Sequence, residues 1–531
     1  MTRPPLVHRR TGLLGLALAA TLGDALPVAA QSPGPMPVDA NETLVVPGDE
    51  PSEALPPAYG DDAFPGEGRQ PLALAEVLES VEASYPLLIA IEQETALASG
   101  ELLAARGSFD SRLFARGEAA PTGYYDRFTT DLGIEQPTRL WGSRLYAGYR
   151  LGRGDFPSYY GASKTNESGE LRAGLEIPLL KSGAIDEPRA KLRAGEIKRR
   201  AAEPKIALER LAILRQASET YWNWVALGLA VDVERHLLRT AEDRRSQLEG
   251  RAARGAIPAI QVVDNERLIL DRAIRLRGAE RDAQEAAVAL SLYYRDAEGA
   301  MRIPDHARLP RDFPTERAWD ERRLVADIDR AQARHPILRE LALRREGLHV
   351  SLALDRNALL PDLRVGVEGS KDIGRSAAGI SSIGSFSTNP NDDTEVKASV
   401  RFEVPALQRT ARGRVATRRA ELVRLENETR YARDAIEAEI RRAMVAVVAA
   451  YDQTRLARES YALSTRLQLG EERKLELGSS NLIDVNIREL QAAEAARSLV
   501  FAQAAYFRAI ARYEAAIAER VDPGEAAPAA P

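Results

Sequence analysis

Few residues in this chain could carry bond-making chemistry. The five histidines (His8, His236, His306, His335 and His349) show no i,i+4 pair and no His-Glu-x-x-His motif, so the helical spacing of a zinc site is missing. The 531 residues include no cysteine, which removes disulfides, thiolate ligands and cysteine nucleophiles together. No Gly-x-Ser-x-Gly elbow, P-loop or dinucleotide fingerprint occurs. No catalytic residue, metal or cofactor is expected. What stands out instead is a motif present twice, Gly-x4-Ile-x-Val-x3-Glu. It comprises Gly255, Ile260, Val262 and Glu266 in one copy and Gly478, Ile483, Val485 and Glu489 in the other. Each copy holds an acid inside it, Asp264 in the first and Asp484 in the second.

Composition narrows the class. With 73 Lys+Arg against 78 Asp+Glu the formal net charge is -5, which argues against nucleic-acid binding as a main role. A hydrophobic content of 44% is ample for a packed core.

The termini read as processing and linker segments. Arg3, His8, Arg9 and Arg10 precede an apolar run from Gly12 to Leu22, and Val28-Ala29-Ala30 follows as a small-residue cleavage site. Residues 1–30 are therefore read as a signal peptide for Sec export. Residues 31–70 hold eight prolines and eight acids, the composition of an arm without its own core. Residues 521–531 read as a flexible tail. No later apolar run is long enough for a transmembrane helix, so a membrane role has to come from β-strands.

Between these ends the chain is duplicated. Tyr85-Pro86-Leu87-Leu88 matches His335-Pro336-Ile337-Leu338 at an offset of 250, and Glu176-Ile177-Pro178 matches Glu403-Val404-Pro405 at 227. The tip motifs match at 223. The drop of 250 − 227 = 23 places 23 extra residues in the first copy, within about Tyr124 to Gly169, and predicts an additional hairpin or loop there. The copies span 71–300 and 315–520.

Each copy should open with a helix, Leu72 to Arg106 and Arg322 to Arg356. Strands with one apolar face follow: Leu171, Ala173, Leu175 and Ile177; Leu363, Val365 and Val367; Val396, Ala398, Val400, Phe402 and Val404. A long helix comes next, Asp186 to Arg251 or Arg412 to Glu476, with a kink or joint expected at Pro204. It returns as Pro258 to Arg295 or Asn481 to Glu519. Ile436, Ile440, Ala443, Val447, Ala450 and Thr454 recur at 4-3-4-3-4, and Tyr506, Ile510, Tyr513 and Ile517 at 4-3-4, the spacing of coiled-coil packing. Tyr221, Trp222 and Trp224 read as helix packing or an interfacial cluster, ahead of a ligand box. Tyr124, Tyr125, Tyr146, Tyr149, Tyr159 and Tyr160, near strand ends, read as a barrel's aromatic girdle or as loop aromatics.

With "YPLL"/"HPIL" openings, "EIPLL"/"EVPAL" strand ends and twin tips "GAIPAIQVVDNE"/"GSSNLIDVNIRE", Leu72 to Arg520 resembles the TolC-like outer-membrane efflux family. The resemblance implies a mainly α fold with a β-barrel portion. It implies a homotrimer whose protomers each give four strands to a 12-stranded outer-membrane barrel, continued by a periplasmic α-helical barrel. It further implies an exit duct for a tripartite efflux pump or type I secretion system, with a periplasmic adaptor, an inner-membrane pump and outer-membrane lipid as partners, and no nucleic acid. The helical tips then lie at the periplasmic entrance, where Asp484, and less closely Asp264, match the family's acidic rings; the family's second acid falls on Ile487. Such carboxylate rings favour cations. Gly255 and Gly478 serve the turns, and the tips, with Ile260, Val262, Ile483 and Val485, meet the adaptor. The rival expectation is a soluble periplasmic coiled-coil scaffold or adaptor with a small β-sandwich.

Overall fold

The structure, a computed structural model, describes residues 70–122, 126–155, 164–375 and 394–519. The signal peptide, nearly all of the proline-rich arm, the tail, and Tyr124, Tyr125, Tyr159 and Tyr160 lie outside the described residues.

The chain runs α1 (Leu74–Ser84), α2 (Pro86–Arg106), β1 (Arg112–Ala120), β2 (Arg127–Pro137), β3 (Arg144–Gly154), β4 (Glu170–Pro178), α3 (Glu187–Ala253), α4 (Ile260–Ser291), α5 (Leu324–Arg334), α6 (Pro336–Asn357), β5 (Asp362–Asp372), β6 (Thr394–Glu403), α7 (Arg409–Glu476) and α8 (Leu482–Ala516). The opening helix expected in each copy is two helices. The break falls at the residue before proline, which the pyrrolidine ring pushes out of the helical region. Tyr85 and His335 accordingly take extended ψ values of 117° and 128°, and the proline after each starts the next helix. Pro204, by contrast, is buried within α3, which runs unbroken from Glu187 to Ala253. The expected joint is not a break.

The long helices pair as hairpins, α3 with α4 and α7 with α8, and α3 also packs on α8. All six heptad residues from Ile436 to Thr454 are buried on α7, and Tyr506, Tyr513 and Ile517 are buried on α8. Ile328 and Ala331 of α5 close that core. A second core joins α1, α3, α4 and α8. There Trp222 stacks on Phe507 at 4.5 Å and on Phe313 at 5.7 Å, and the Tyr221 hydroxyl donates to the Leu72 carbonyl at 2.7 Å. These aromatics are helix packing, one of the two readings the sequence left open. Among the described residues no helix is long and apolar enough to cross a membrane.

The strands form one antiparallel sheet in sequence order, β1-β2-β3-β4-β5-β6. Four come from the first copy and two from the second. Four strands per chain was the expectation; the described residues hold six. The surplus is the hairpin β2–β3, which lies where the 23 additional residues pointed.

Candidate functional site: the hairpin tips and the two-faced sheet

Both helical hairpins turn by the same device. Gly255 and Gly478 have φ of +69° and +75°, a left-handed conformation that costs a side-chain-bearing residue ~1–2 kcal/mol. At the first tip the Gly255 N–H donates to the Ala252 carbonyl and Ala256 N–H to that of Arg251, at 2.9 and 3.0 Å. At the second, Gly478 donates to Leu475 and Ser479 to Lys474, at 3.0 and 2.9 Å. Each pair satisfies carbonyls that a helix end leaves open, so the glycines recur for backbone reasons.

After the turns the copies diverge. Asn481 caps α8: its Oδ1 accepts from the Asp484 N–H at 3.0 Å, and its Nδ2 donates to Asp484 Oδ2 at 2.8 Å. Asp484 is thereby fixed in the first turn of α8, where a negative charge suits the helix dipole, and it is exposed. Asp264 is also exposed, one turn into α4, and α4 has no side-chain cap. Ile260 and Ile483 are exposed at 62% and 67%, whereas Val485 is buried and Val262 half-buried. The tips thus present an acid and an isoleucine each to the outside, and only one valine of the matched pair serves the core.

The motif's glutamates differ most. Glu266 is exposed, but Glu489 is 1% exposed. Its carboxylate takes Arg272 of α4 at 2.7 Å and Arg244 of α3, and Arg244 also donates to Asn486 Oδ1 at 2.6 Å. Arg272 in turn donates to the Leu237 carbonyl at 2.6 Å. One carboxylate therefore ties the second hairpin to both helices of the first. The sequence marked Glu489 as a motif residue but gave no sign of Arg244 or Arg272, which lie more than 200 positions away and belong to no motif.

The sheet has two unlike faces. Register places Leu113, Leu132, Ala147, Ala173, Val365 and Val400 on one side with their apolar neighbours two residues along each strand. Leu113, Leu132, Leu145, Leu171, Val396, Val400 and Phe402 there are 45–82% exposed. The opposite side is charged and cross-linked. Arg144 bridges Glu135 and Glu176 at 3.2 and 3.4 Å, Arg364 bridges Glu176 and Asp362 at 3.0 and 2.9 Å, and Arg150 holds Glu170. Arg172 reaches Asp131 at 2.5 Å. Of the two girdle tyrosines described, Tyr149 is on the apolar side with its hydroxyl on the Ser168 carbonyl at 2.8 Å. Tyr146 is on the charged side, donating to Glu368, so it is not a girdle residue. Among the described residues, the outer edges β1 and β6 have no further partner strand.

No known protein family's sequence profile and no curated protein matches the chain. Solved structures do. The outer-membrane protein VceC of Vibrio cholerae is 14% identical, with 84% of this chain and 96% of that one covered at a TM-score of 0.58. The CmeC outer-membrane channel of Campylobacter jejuni is 14% identical over 90% and 94%, at 0.59. The MtrE outer-membrane channel of Neisseria gonorrhoeae, in its open state, is 14% identical over 84% and 89%, at 0.57. Paired helical hairpins below a two-faced antiparallel sheet, matched along nearly the whole of these proteins, give this chain the TolC-like fold of the outer-membrane channels.

Proposed function

We propose that the protein is the outer-membrane exit duct of a tripartite efflux pump or type I secretion system, acting as a homotrimer with a periplasmic adaptor and an inner-membrane pump. The observation that carries this reading is the sheet. Its strands are 9–11 residues long, the length a tilted strand needs to cross a bilayer. An exposed apolar face backed by a charged one is how a membrane barrel wall is built, lipid outside and water inside. Two open edges cannot exist in hydrocarbon, so copies of the chain must close the wall.

The rest of the chain fits a conduit. The α3–α4 and α7–α8 hairpins supply coiled-coil faces for a helical tube, and Asp484 and Asp264 at their tips supply carboxylates for its entrance. Ile260 and Ile483 offer exposed apolar contacts for an adaptor. The work is passage, and no residue is assigned a catalytic role.

Membrane fractionation tests the reading. The protein should stay with the outer membrane through carbonate and salt washes, need detergent for release, and run as a heat-modifiable trimer. Release by the wash as a monomer would instead identify a soluble periplasmic scaffold.

A further inference from the structure

We propose that the hairpin β2–β3 is part of the membrane wall, so that three copies close an 18-stranded barrel instead of a 12-stranded one, with a correspondingly wider mouth. This rests on the trimeric-duct reading above.

Four observations place the hairpin in the wall. First, it is paired along its length on both sides: β2 with β1 from Arg127 to Glu135, and β3 with β4 from Arg144 to Arg150. A loop folded over the barrel mouth would leave β1 and β4 free to pair with each other; here 22 hairpin residues stand between them in two strands of 11. Second, the hairpin follows the wall's alternation. Phe128, Leu132, Ile134, Leu145 and Ala147 share the apolar face with Leu175 and Val400.

Third, its charged face is knitted into strands of both copies. Arg172 of β4 crosses Gly148 to reach Asp131 of β2, and Tyr146 of β3 crosses Gly174 to reach Glu368 of β5. A Cβ on Gly174 would stand 2.3 Å from the Tyr146 ring, and one on Gly133 would stand 2.6 Å from the Phe114 ring. These glycines make room for side chains that span two strands. Fourth, the hairpin's turn docks on the first turn of α3. Gly142 has φ of +63°, and a Cβ there would meet the Asp186 carboxylate at 2.5 Å. Asp186 is the cap of α3, accepting from the Arg189 N–H at 2.9 Å. The same turn leaves Leu140 and Trp141 79% and 65% exposed at the strand-to-helix junction, where an interfacial anchor belongs.

The direction of the strands permits closure. Six strands in a meander end antiparallel to where they began, so β6 of one copy can pair with β1 of the next. Because barrel diameter grows roughly linearly with strand number, eighteen strands give a mouth about 1.5 times as wide as twelve, in the range of water-filled porins. The hairpin's lumen charges are paired, Glu135 with Arg144 inside it and Arg127, Asp131 and Arg150 with β1 or β4, so the widened mouth should discriminate by size more than by sign.

The test uses the full chain, whose lack of cysteine leaves no background. Single variants Leu132→Cys and Leu145→Cys on the hairpin, and Leu171→Cys and Val400→Cys on strands present in both readings, are exposed in membranes to a lipid-soluble or a water-soluble maleimide. All four should react with the lipid-soluble reagent and resist the other, and electron microscopy of the wild-type trimer should show eighteen strands. If the hairpin positions react with the water-soluble reagent while Leu171→Cys and Val400→Cys do not, or if twelve strands are counted, the hairpin lies outside the wall and only this inference falls. If all four react with the water-soluble reagent, the duct reading falls with it.

Discussion

Glu489 of α8 and Arg272 of α4 form an ion pair of 2.7 Å with both side chains almost wholly buried, 5% exposed on the arginine and 1% on the glutamate. The pair joins elements from the two halves of the duplication close to the hairpin tips. Removing one partner of such a pair costs about 3–5 kcal/mol, because the other charge is left without compensation in a poorly hydrated site. Glu489→Leu should therefore lower stability by that order and raise amide exchange in the tip segments of α3 and α4. Glu266→Leu, at the exposed equivalent, should change little. Denaturant unfolding of the detergent-solubilised protein, with hydrogen exchange, measures both. Equal effects at the two positions would show that burial of Glu489 is not what matters.

The facing of β6 can be checked by charge. Arg at an apolar-face position near the bilayer midplane costs about 2–4 kcal/mol, whereas Arg on the lumen side has water and counter-charges available. Val400→Arg should therefore reduce heat-resistant trimer in liposomes, and Ser399→Arg, one residue away on the charged face, should be tolerated. The reverse ranking would invert the sheet.

How much of this was legible in the sequence depended on the range of the signal. Heptad spacing is local, and so α7 was expected to end at Glu476, where it does. Alternation is local too, which is why Val396, Val400 and Phe402 could be assigned to one face before any register was known. The proline breaks were visible in Tyr85-Pro86 and His335-Pro336 but were read only as a repeat match, although the residue before proline already disfavours helix. The offset arithmetic found room for an extra hairpin but could not say that it enters the sheet. That depends on Arg172 meeting Asp131 and Tyr146 meeting Glu368, contacts across 41 and 222 positions. The Arg244–Glu489–Arg272 cluster failed to show for the same reason.

Acid should loosen the contact between α1 and the segment that links the copies. Glu76 accepts two bonds from Arg308, at 2.7 and 3.0 Å, and one from the Tyr294 hydroxyl at 2.8 Å. The hydrogen bond from Arg308 is the main cause that holds its carboxyl below the ordinary value of 4.5, against a smaller opposing effect of burial. A carboxyl whose folded pKa is depressed adds stability above its unfolded pKa, and that stability is lost as pH falls through the folded value. Wild type should therefore lose stability below about pH 4.5 more steeply than Glu76→Gln, while Glu76→Gln should be the less stable of the two at pH 7. Thermal unfolding across pH 3–7 compares them. Parallel curves would remove Glu76 from the acid response.

The proposed entrance offers the sharpest functional measurement, because the geometry at Asp484 separates charge from fold. Asp484 has two jobs: its backbone N–H is capped by Asn481, and its carboxylate accepts from Asn481 Nδ2. Asparagine in its place keeps a side-chain oxygen for that second bond and leaves the backbone cap alone, so Asp484→Asn removes charge while the start of α8 persists. Asn481→Ala does the opposite, removing the cap at a cost of about 1 kcal/mol, and the bond from Nδ2 with it, while the carboxylate's charge remains. In the proposed trimer, three Asp484 carboxylates around the axis would dominate the local field. Single-channel reversal potentials in planar bilayers should then show reduced cation preference, and weaker block by multivalent cations, for Asp484→Asn. Asn481→Ala should leave selectivity near wild type while lowering stability. Asp264→Asn should shift selectivity less, since Asp264 matches the acidic-ring pattern less closely and α4 has no cap to fix its first turn. If Asp264→Asn alone changes selectivity, the ring belongs to the first hairpin. If neither does, the tip acids serve the helix ends, and the entrance is controlled by other groups.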